Sequence, residues 1–464
     1  MWRRSVLVLS SLSCAGVLAL AVPAGAATPV TTKSAAWLVT RQQPDGGFEL
    51  AGFPGFETPD AVRAIAEQAQ ADQSWSASEA RAAVLARQSP LGADPLDNLD
   101  NFAEAGLAAG PAAKLVALVT NPLGIDATTF DPSCDGTPVN LEAVIDAALD
   151  PSGFYAPQAA FNGTLFAALA KDLLDGVVPA NTVTYIRNAQ RPDGGWNFSG
   201  TSGPTDPDSD VDTTALALIA LAAAGITVGD GDFDDGLFFL TDGQQLSGAW
   251  QAFGSDDPNS TSLAVLGLTA AGFDDSDDEI QDAIAWLDSQ QAADGHIISP
   301  NDGFGVNTFA TSQTIQAILR SNVPAASTFD PVLCWSPDVM VRNKNGTYTE
   351  PKVKQAKPAG KTTKFFVQAA HAAGQSDRLL ITGAGSADGF TVTYLDDSTD
   401  VTADVVAGKF VTAPLDPGDL VELQIKVTID ESIKKATKRT VEVGATSYAD
   451  PTKRDAVKAV TKVS

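Results

Sequence analysis

The stretch Tyr185-Ile186-Arg187-Asn188-Ala189-Gln190-Arg191-Pro192-Asp193-Gly194-Gly195-Trp196 decides the fold of this 464-residue chain. It runs aromatic, aliphatic, three residues, Gln, three residues, Gly, one residue, then a large apolar residue. The same five points recur as Trp37-Leu38, Gln42, Gly46, Phe48, as Phe239-Leu240, Gln244, Gly248, Trp250, and as Trp286-Leu287, Gln291, Gly295, Ile297. Chance rarely sets four such matches in one chain. Self-similarity at a spacing of tens of residues marks a repeat architecture.

Each copy has a mechanical reading. The aromatic-aliphatic pair closes a helix with one apolar face, as over 34–41 and 283–289. Gly then supplies the positive φ that ends it, and the Pro-Asp-Gly-Gly runs at 44–47 and 192–195 favour a turn. Gln is expected to bond backbone groups freed at the helix end, with the following Trp or Phe covering the turn. An Ala- and Leu-rich helix follows, over 213–224, 261–271 and 312–319. These second helices are apolar nearly all round and should be buried, with the more polar first helices outside. Gln88 with Gly92 begins a weaker copy, and Gly153-Phe154-Tyr155 ends another that lacks the Gln. Six helix pairs can close into a ring.

The pattern resembles the Gln-Trp repeat of the terpene cyclase and prenyltransferase superfamily, also called the squalene-cyclase-type repeat. That resemblance covers about residues 30–320 and implies an (α/α)6 barrel, or toroid. The same toroid carries secreted cobalamin carriers, complement-type thioester domains and some polysaccharide lyases, so it says little about function.

Residues 1–26 read as a secretory signal: Arg3-Arg4, an apolar run over 6–22, then Ala24-Gly25-Ala26. Cleavage near Ala26 makes the mature protein extracellular. It leaves Cys134 and Cys334, which form a disulfide in an oxidising compartment or remain buried thiols. No later apolar stretch is long enough to span a membrane. Net charge is −27, unevenly spread. Residues 337–464 hold 18 Lys and Arg against 16 Asp and Glu, while 27–336 hold 10 against 41. The acidic part disfavours nucleic acid and anionic membranes. It suits cations, basic peptides or a salty medium.

The charge change supports a boundary at 336/337, with the toroid over 27–336 and a second unit over 337–464. There the period becomes alternating, with candidate strands at 338–342, 364–368, 378–382, 390–395, 409–412, 420–429, 438–446 and 456–461. They suggest an all-β sandwich resembling the immunoglobulin-like modules of secreted bacterial proteins, serving as spacer or adhesion module.

The sharpest chemical motif is Asp206-Pro207-Asp208-Ser209-Asp210-Val211-Asp212-Thr213-Thr214-Ala215. Class II terpene cyclases protonate an alkene with Asp-x-Asp-Asp beside Thr-Ala. By resemblance Asp212 is the proton donor and Asp210 its neighbour, but Thr213 stands where the last Asp belongs. The competing reading makes Asp212 the N-cap of the 213–224 helix, with Ser260 in the same place one repeat later. Asp206, Asp208, Asp210 and Asp212 are in either case the candidate ligand-binding set. Asp230, Asp232 and Asp234 alternate like the first half of a calcium loop. Asp235 and Thr241 break the EF-hand pattern, leaving a looser calcium site or a solvated acidic loop. Zinc is not expected, because the sequence has only His296 and His371 beside the two cysteines. The functional expectation is non-catalytic binding at the barrel mouth of a small molecule (a corrinoid or an isoprenoid), a surface glycan or a peptide. The alternatives are acid-catalysed cyclisation, or a lyase, using Asp210 and Asp212, and a purely structural surface protein.

Overall fold

The computed structural model describes residues 26–49, 55–133, 137–155, 161–300, 308–321, 323–325, 337–349, 351–371, 377–415, 419–448, 451 and 453–464. The leader, Cys134 and Cys334 lie outside the described residues, so the structure does not bear on export or on the disulfide.

The described chain is helical first and β-stranded afterwards. The helices are α1 (Pro29–Val39), α2 (Thr58–Gln70), α3 (Ala77–Leu85), α4 (Pro95–Glu104), α5 (Ala109–Leu115), α6 (Asn121–Leu123), α7 (Leu141–Asp146), α8 (Phe161–Asp175), α9 (Ala180–Asn188), α10 (Val211–Ala223), α11 (Gly231–Gly243), α12 (Pro258–Ala270), α13 (Asp278–Ser289) and α14 (Thr308–Leu319). A π-helical segment, Val116–Thr120, joins α5 to α6. A two-residue ribbon, β1 (Gln251–Ala252) with β2 (Ser255–Asp256), leads into α12.

Two classes of helix emerge. In α11 the buried residues are Phe233, Gly236 and Leu240, and in α13 they are Ile280, Ala283 and Leu287. That is one stripe at helical spacing, with the rest facing water. By contrast α10 buries Thr213, Thr214, Ala215, Ala217, Leu218, Ala220 and Leu221, and α14 buries almost its whole length. The polarity-based division therefore holds. The buried helices are neighbours in a fixed order: α5 packs on α8, α8 on α10, α10 on α12, α12 on α14, and α14 returns to α2, which meets the π segment after α5.

The turns explain the repeat. In all six copies, the two weak ones included, the Gly N–H bonds the carbonyl three residues back, as in Gly194 to Arg191 at 2.9 Å and Gly153 to Asp150 at 3.0 Å. Gly194 has φ +88, and a Cβ there would lie 2.5 Å from the Asp235 carbonyl oxygen. Positive φ and close approach together demand glycine.

The Gln does something the sequence reading did not foresee. Gln244 Nε2 donates to the Gly248 carbonyl of its own turn at 3.0 Å and to the Glu279 carbonyl of α13 at 2.9 Å. Gln190 likewise joins Gly194 to Asp232, and Gln42 joins Gly46 to Arg87. Gln291 donates to the Val30 carbonyl and Ser34 hydroxyl of α1, both at 2.8 Å, tying the last copy to the first. The expected cap on its own helix is thus corrected to a tie between successive copies. Gln88 bonds only the Leu85 carbonyl of its own helix. Trp196 and Trp250 are fully buried, and their indole N–H groups bond the Ile186 and Leu240 carbonyls.

The C-terminal part has β3 (Pro337–Asn343), β4 (Lys352–Lys357), β5 (Thr362–His371), β6 (Leu379–Gly383), β7 (Phe390–Asp396), β8 (Thr399–Asp400), a short helix α15 (Thr402–Val406), β9 (Phe410–Val411), β10 (Leu420–Ile429), β11 (Lys438–Ser447) and β12 (Arg454–Val463). They form two five-stranded sheets, ordered β3-β5-β10-β7-β8 and β4-β12-β11-β6-β9. Val341, Phe365 and Ile425 of the first share a core with Ile381, Val443 and Val457 of the second. Each expected strand lies on an observed one. β4 was missed because its Lys-Val-Lys-Gln-Ala-Lys sequence is mostly exposed, with no buried face; backbone pairing to β12, in parallel, defines it.

Candidate functional site

A hydroxyl sets where each buried helix begins. Thr214 Oγ1 accepts from the Trp196 N–H at 3.0 Å and donates to the Asp210 carbonyl at 2.7 Å. Thr261 does the same with Trp250 and Asp257. Thr58, Thr164 and Thr311 accept from Phe48, Tyr155 and Ile297. A Thr in the first turns of five buried helices therefore fastens the turn residue after Gly. Thr214, read above as half of a cyclase Thr-Ala pair, belongs to this structural series. The signal was present in the sequence but at variable spacing from Gly, because the intervening loops differ in length.

The cap assignment is corrected. The N-cap of α10 is Asp210, whose Oδ1 accepts from the Thr213 N–H at 2.7 Å and whose Oδ2 accepts from the Phe198 N–H and the Thr213 hydroxyl, both at 3.0 Å. The helix begins two residues earlier than expected, so Asp212 sits inside its first turn. One repeat later the cap is Asp257, which accepts from Asn259 and Ser260; Ser260 is not the capper. The Ser260 hydroxyl instead lies beside Asp212 and favours its charged form. Asp212 Oδ1 and Asp257 Oδ2 are buried without a hydrogen-bond partner. Burial, with Asp210 and Asp257 nearby, pushes the Asp212 carboxyl up to about 6. Burial also raises Asp210 and Asp257.

The rest of the expected set disperses. Asp208 is exposed, and Asp206 accepts from the Gly203 N–H within its own loop. Asp230 and Asp232 both pair with Arg187, at 2.7 and 3.0 Å, while Asp234 accepts from the Gly229 N–H. A guanidinium thus occupies two carboxylates of the expected calcium loop, and the three are not turned to one cation. Among the described residues, no group of three or more His, Cys, Asp or Glu side chains is placed to hold a metal ion.

Residues the sequence reading passed over link the buried helices into a polar belt. Asn162 of α8 meets Thr213 of α10, Asp212 of α10 meets Ser260 of α12, and Asn259 of α12 donates to Gln313 of α14 at 3.1 Å. Gln313 reaches Asp60 of α2, and Asp60 pairs with Lys114 of α5 at 2.7 Å. Lys114 also donates to the Phe56 carbonyl and lies over the rings of Phe56 and Phe309, 5.1 and 5.3 Å from their centroids. Asp60, Asn259 and Gln313 are buried, so side chains fill this level. The one available signal was Lys114 itself, the sole Lys or Arg between Arg87 and Lys171. The segments entering these helices carry an exposed apolar rim: Phe56 before α2, Phe198 before α10, Phe253 before α12 and Ile298 before α14.

Residues 198–320, from this rim through α14, match the family model of the squalene-hopene cyclase C-terminal domain. The match supports a terpene cyclase-like superfamily for that stretch. None of the curated proteins matches the chain. Solved structures similar to it include Salmonella alpha-2-macroglobulin reacted with methylamine, at 12% identity and a TM-score of 0.30, over 96% of this chain and 32% of that one. Native E. coli alpha-2-macroglobulin shows 11% identity and a TM-score of 0.20, over 66% and 29%. A family 123 glycoside hydrolase from Clostridium perfringens shows 6% and 0.21, over 28% and 27%. The chain spans less than a third of each of these proteins. Among the described residues no helix is long and apolar enough to cross a membrane.

Proposed function

We propose that the chain is an exported two-unit protein: an α/α toroid over 27–336 followed by an immunoglobulin-like sandwich over 337–464. Its toroid mouth binds a ligand without catalysis. The neighbour order from α2 round to α14 and the Gln291 tie to α1 support closure of the ring. Two five-stranded sheets on one core support the sandwich.

The observation that carries the binding reading is the filled polar belt together with the exposed apolar rim. A cyclase must enclose its substrate in a dry cavity and stabilise a cation there. Here the corresponding level is occupied by Asp60, Asn259, Gln313 and a lysine that already holds positive charge. Thr213, in place of the motif's last acid, is bonded to Asp210. What is left for a ligand is the rim, which suits a corrinoid, an isoprenoid, a glycan or a peptide. A thermal-shift panel of these four classes should contain one that stabilises the chain, with the shift lost in Phe198→Ala and Phe253→Ala. No shift from any class would favour the purely structural role.

One observation favours cyclisation as a second reading. Asp212 combines an orphan oxygen with a carboxyl raised to about 6, as a proton donor requires. Incubation with squalene and with linear isoprenoid diphosphates should yield no cyclic product by mass spectrometry. Turnover that disappears in Asp212→Asn would put catalysis first.

A further inference from the structure

The α10–α12 quadrant of the mouth concentrates negative charge that has no Lys or Arg counter-ion among the described residues. Ser260 of α12 donates its N–H to Asp257, and α12 packs on α10, which brings its hydroxyl and Asp257 close to Asp212. Each acid keeps one buried oxygen without a partner, and Asp257 is only 2% exposed. Elsewhere on the belt the acid Asp60 has Lys114 as counter-ion; here the neighbours are Asp210, Asn162, Asn259 and hydroxyls. Each helix N-terminus offers about half a positive charge, so two of them offset roughly one of the three negative charges.

The same quadrant carries the two most conspicuous apolar side chains of the rim. Phe253 is fully exposed at the tip of the β1–β2 ribbon, with φ +50 beside Gly254 at φ +81. A two-residue tip with both φ positive favours Asn-Gly, so an aromatic residue there is disfavoured both by its backbone and by water. Phe198 is 56% exposed, and its N–H is bonded to Asp210. Phe198 and Phe253 precede the helices that bear Asp212 and Asp257.

We propose that this quadrant docks an exposed Lys or Arg side chain of a partner polypeptide, its charge met by Asp212 and Asp257 and its apolar flanks covered by Phe198 and Phe253. The proposal rests on the mouth-binding reading and names its ligand class. A polypeptide is favoured over a free amine because two exposed rings on separate loops need apolar cover, which a small hydrophilic cation does not bring. The acidic surplus of residues 27–336 would speed encounter with such a partner.

The test uses the full chain on an array of decapeptides with a central Lys or Arg in varied apolar flanks, beside the same array with norleucine at the centre. Fluorescence anisotropy then gives affinities for the captured sequences. Norleucine should weaken binding at least tenfold, as should Asp212→Asn combined with Asp257→Asn, since Asn still caps a helix. Asp212→Asn alone serves if the pair fails to fold. Phe253→Ala should also weaken binding, and added salt should lower the affinity of the Lys peptides only. Equal binding of norleucine peptides, or capture of none, overturns the proposal. If no peptide binds but a corrinoid, isoprenoid or glycan gives a thermal shift that Phe253→Ala removes, the mouth reading survives without this inference. If neither occurs, both fall.

Discussion

The helical and the β-stranded regions solve the same packing problem with different materials. In the helices, side chains make the long-range ties: Gln from turn to next copy, Thr from helix to turn, Trp from turn to helix. In the sheets the backbone ladders make them, as in the continuous pairing of β10 with β5 and β7. The electrostatics differ too. Burial raises Glu67 to about 7 and Asp94 and Asp212 to about 6, all in the helical region. In the sheet region the shifted carboxyls, Asp400 and Asp430, go down, each held by a hydroxyl, from Thr402 and Ser432, as exposed Asp150 and Asp274 of the helical region also do. A repeat joined by side chains must bury polar and ionised groups, and it carries their desolvation cost.

The largest expected effect breaks the helical side alone. Trp250→Ala removes a fully buried indole and its bond to Leu240, and should cost about 3–5 kcal/mol. Calorimetry should show the helical transition lowered and the sheet transition unmoved; an equal fall in both would mean the regions unfold as one.

Removing a tie comes next. Gln244→Ala leaves two carbonyls without their shared donor and should cost about 1–3 kcal/mol, whereas Gln88→Ala, whose bond is local, should cost under about 0.5 kcal/mol. Equal costs by urea unfolding would reduce the tie to a local cap.

Mild acidification should affect the helical region and leave the sheets unmoved. Glu67, Asp94 and Asp212 have folded pKa values above their unfolded ones, near 4. Between about pH 7 and 4 the native state therefore holds protons that the unfolded state has released. The destabilisation is full above pH 7 and is relieved as pH falls through 6. The helical melting temperature should rise from pH 7.5 to 5 while that of the sheets stays flat. Asp212→Asn should gain on the order of 1 kcal/mol at pH 7.5 and little at pH 5. A helical transition that falls on mild acidification would contradict this.

The smallest effect separates cap from motif. Asp210→Ala should cost about 1 kcal/mol and Asp208→Ala close to nothing, measured by chemical unfolding.

Periodicity and turn chemistry made much legible in advance. The positive-φ glycines, the buried second helices and eight strand positions follow from residue types that admit few local conformations. The site was less legible. The cap reading of Asp212 rests on a helix taken to start at Thr213, whose first free N–H groups an Asp would accept from. The Thr214 bond to the Asp210 carbonyl winds the helix back to 211, and that bond requires the Trp196 turn to be seated on Thr214. The calcium pattern at Asp230, Asp232 and Asp234 lies on one segment, whereas Arg187 reaches Asp230 and Asp232 from the preceding helix.

The sequence by itself determined the repeat, its turns and the inside and outside of each helix pair, because those depend on neighbours within about four residues or on a helical face. Only the tertiary structure decided that Gln joins successive copies, that Lys114 answers Asp60, and that Asp212 and Asp257 come close beside Ser260. Gln244 and Glu279 lie 35 residues apart and Asp60 and Lys114 lie 54 apart, roughly a repeat length. Coulomb energy and desolvation depend on distance and burial, and neither is fixed until the copies have packed.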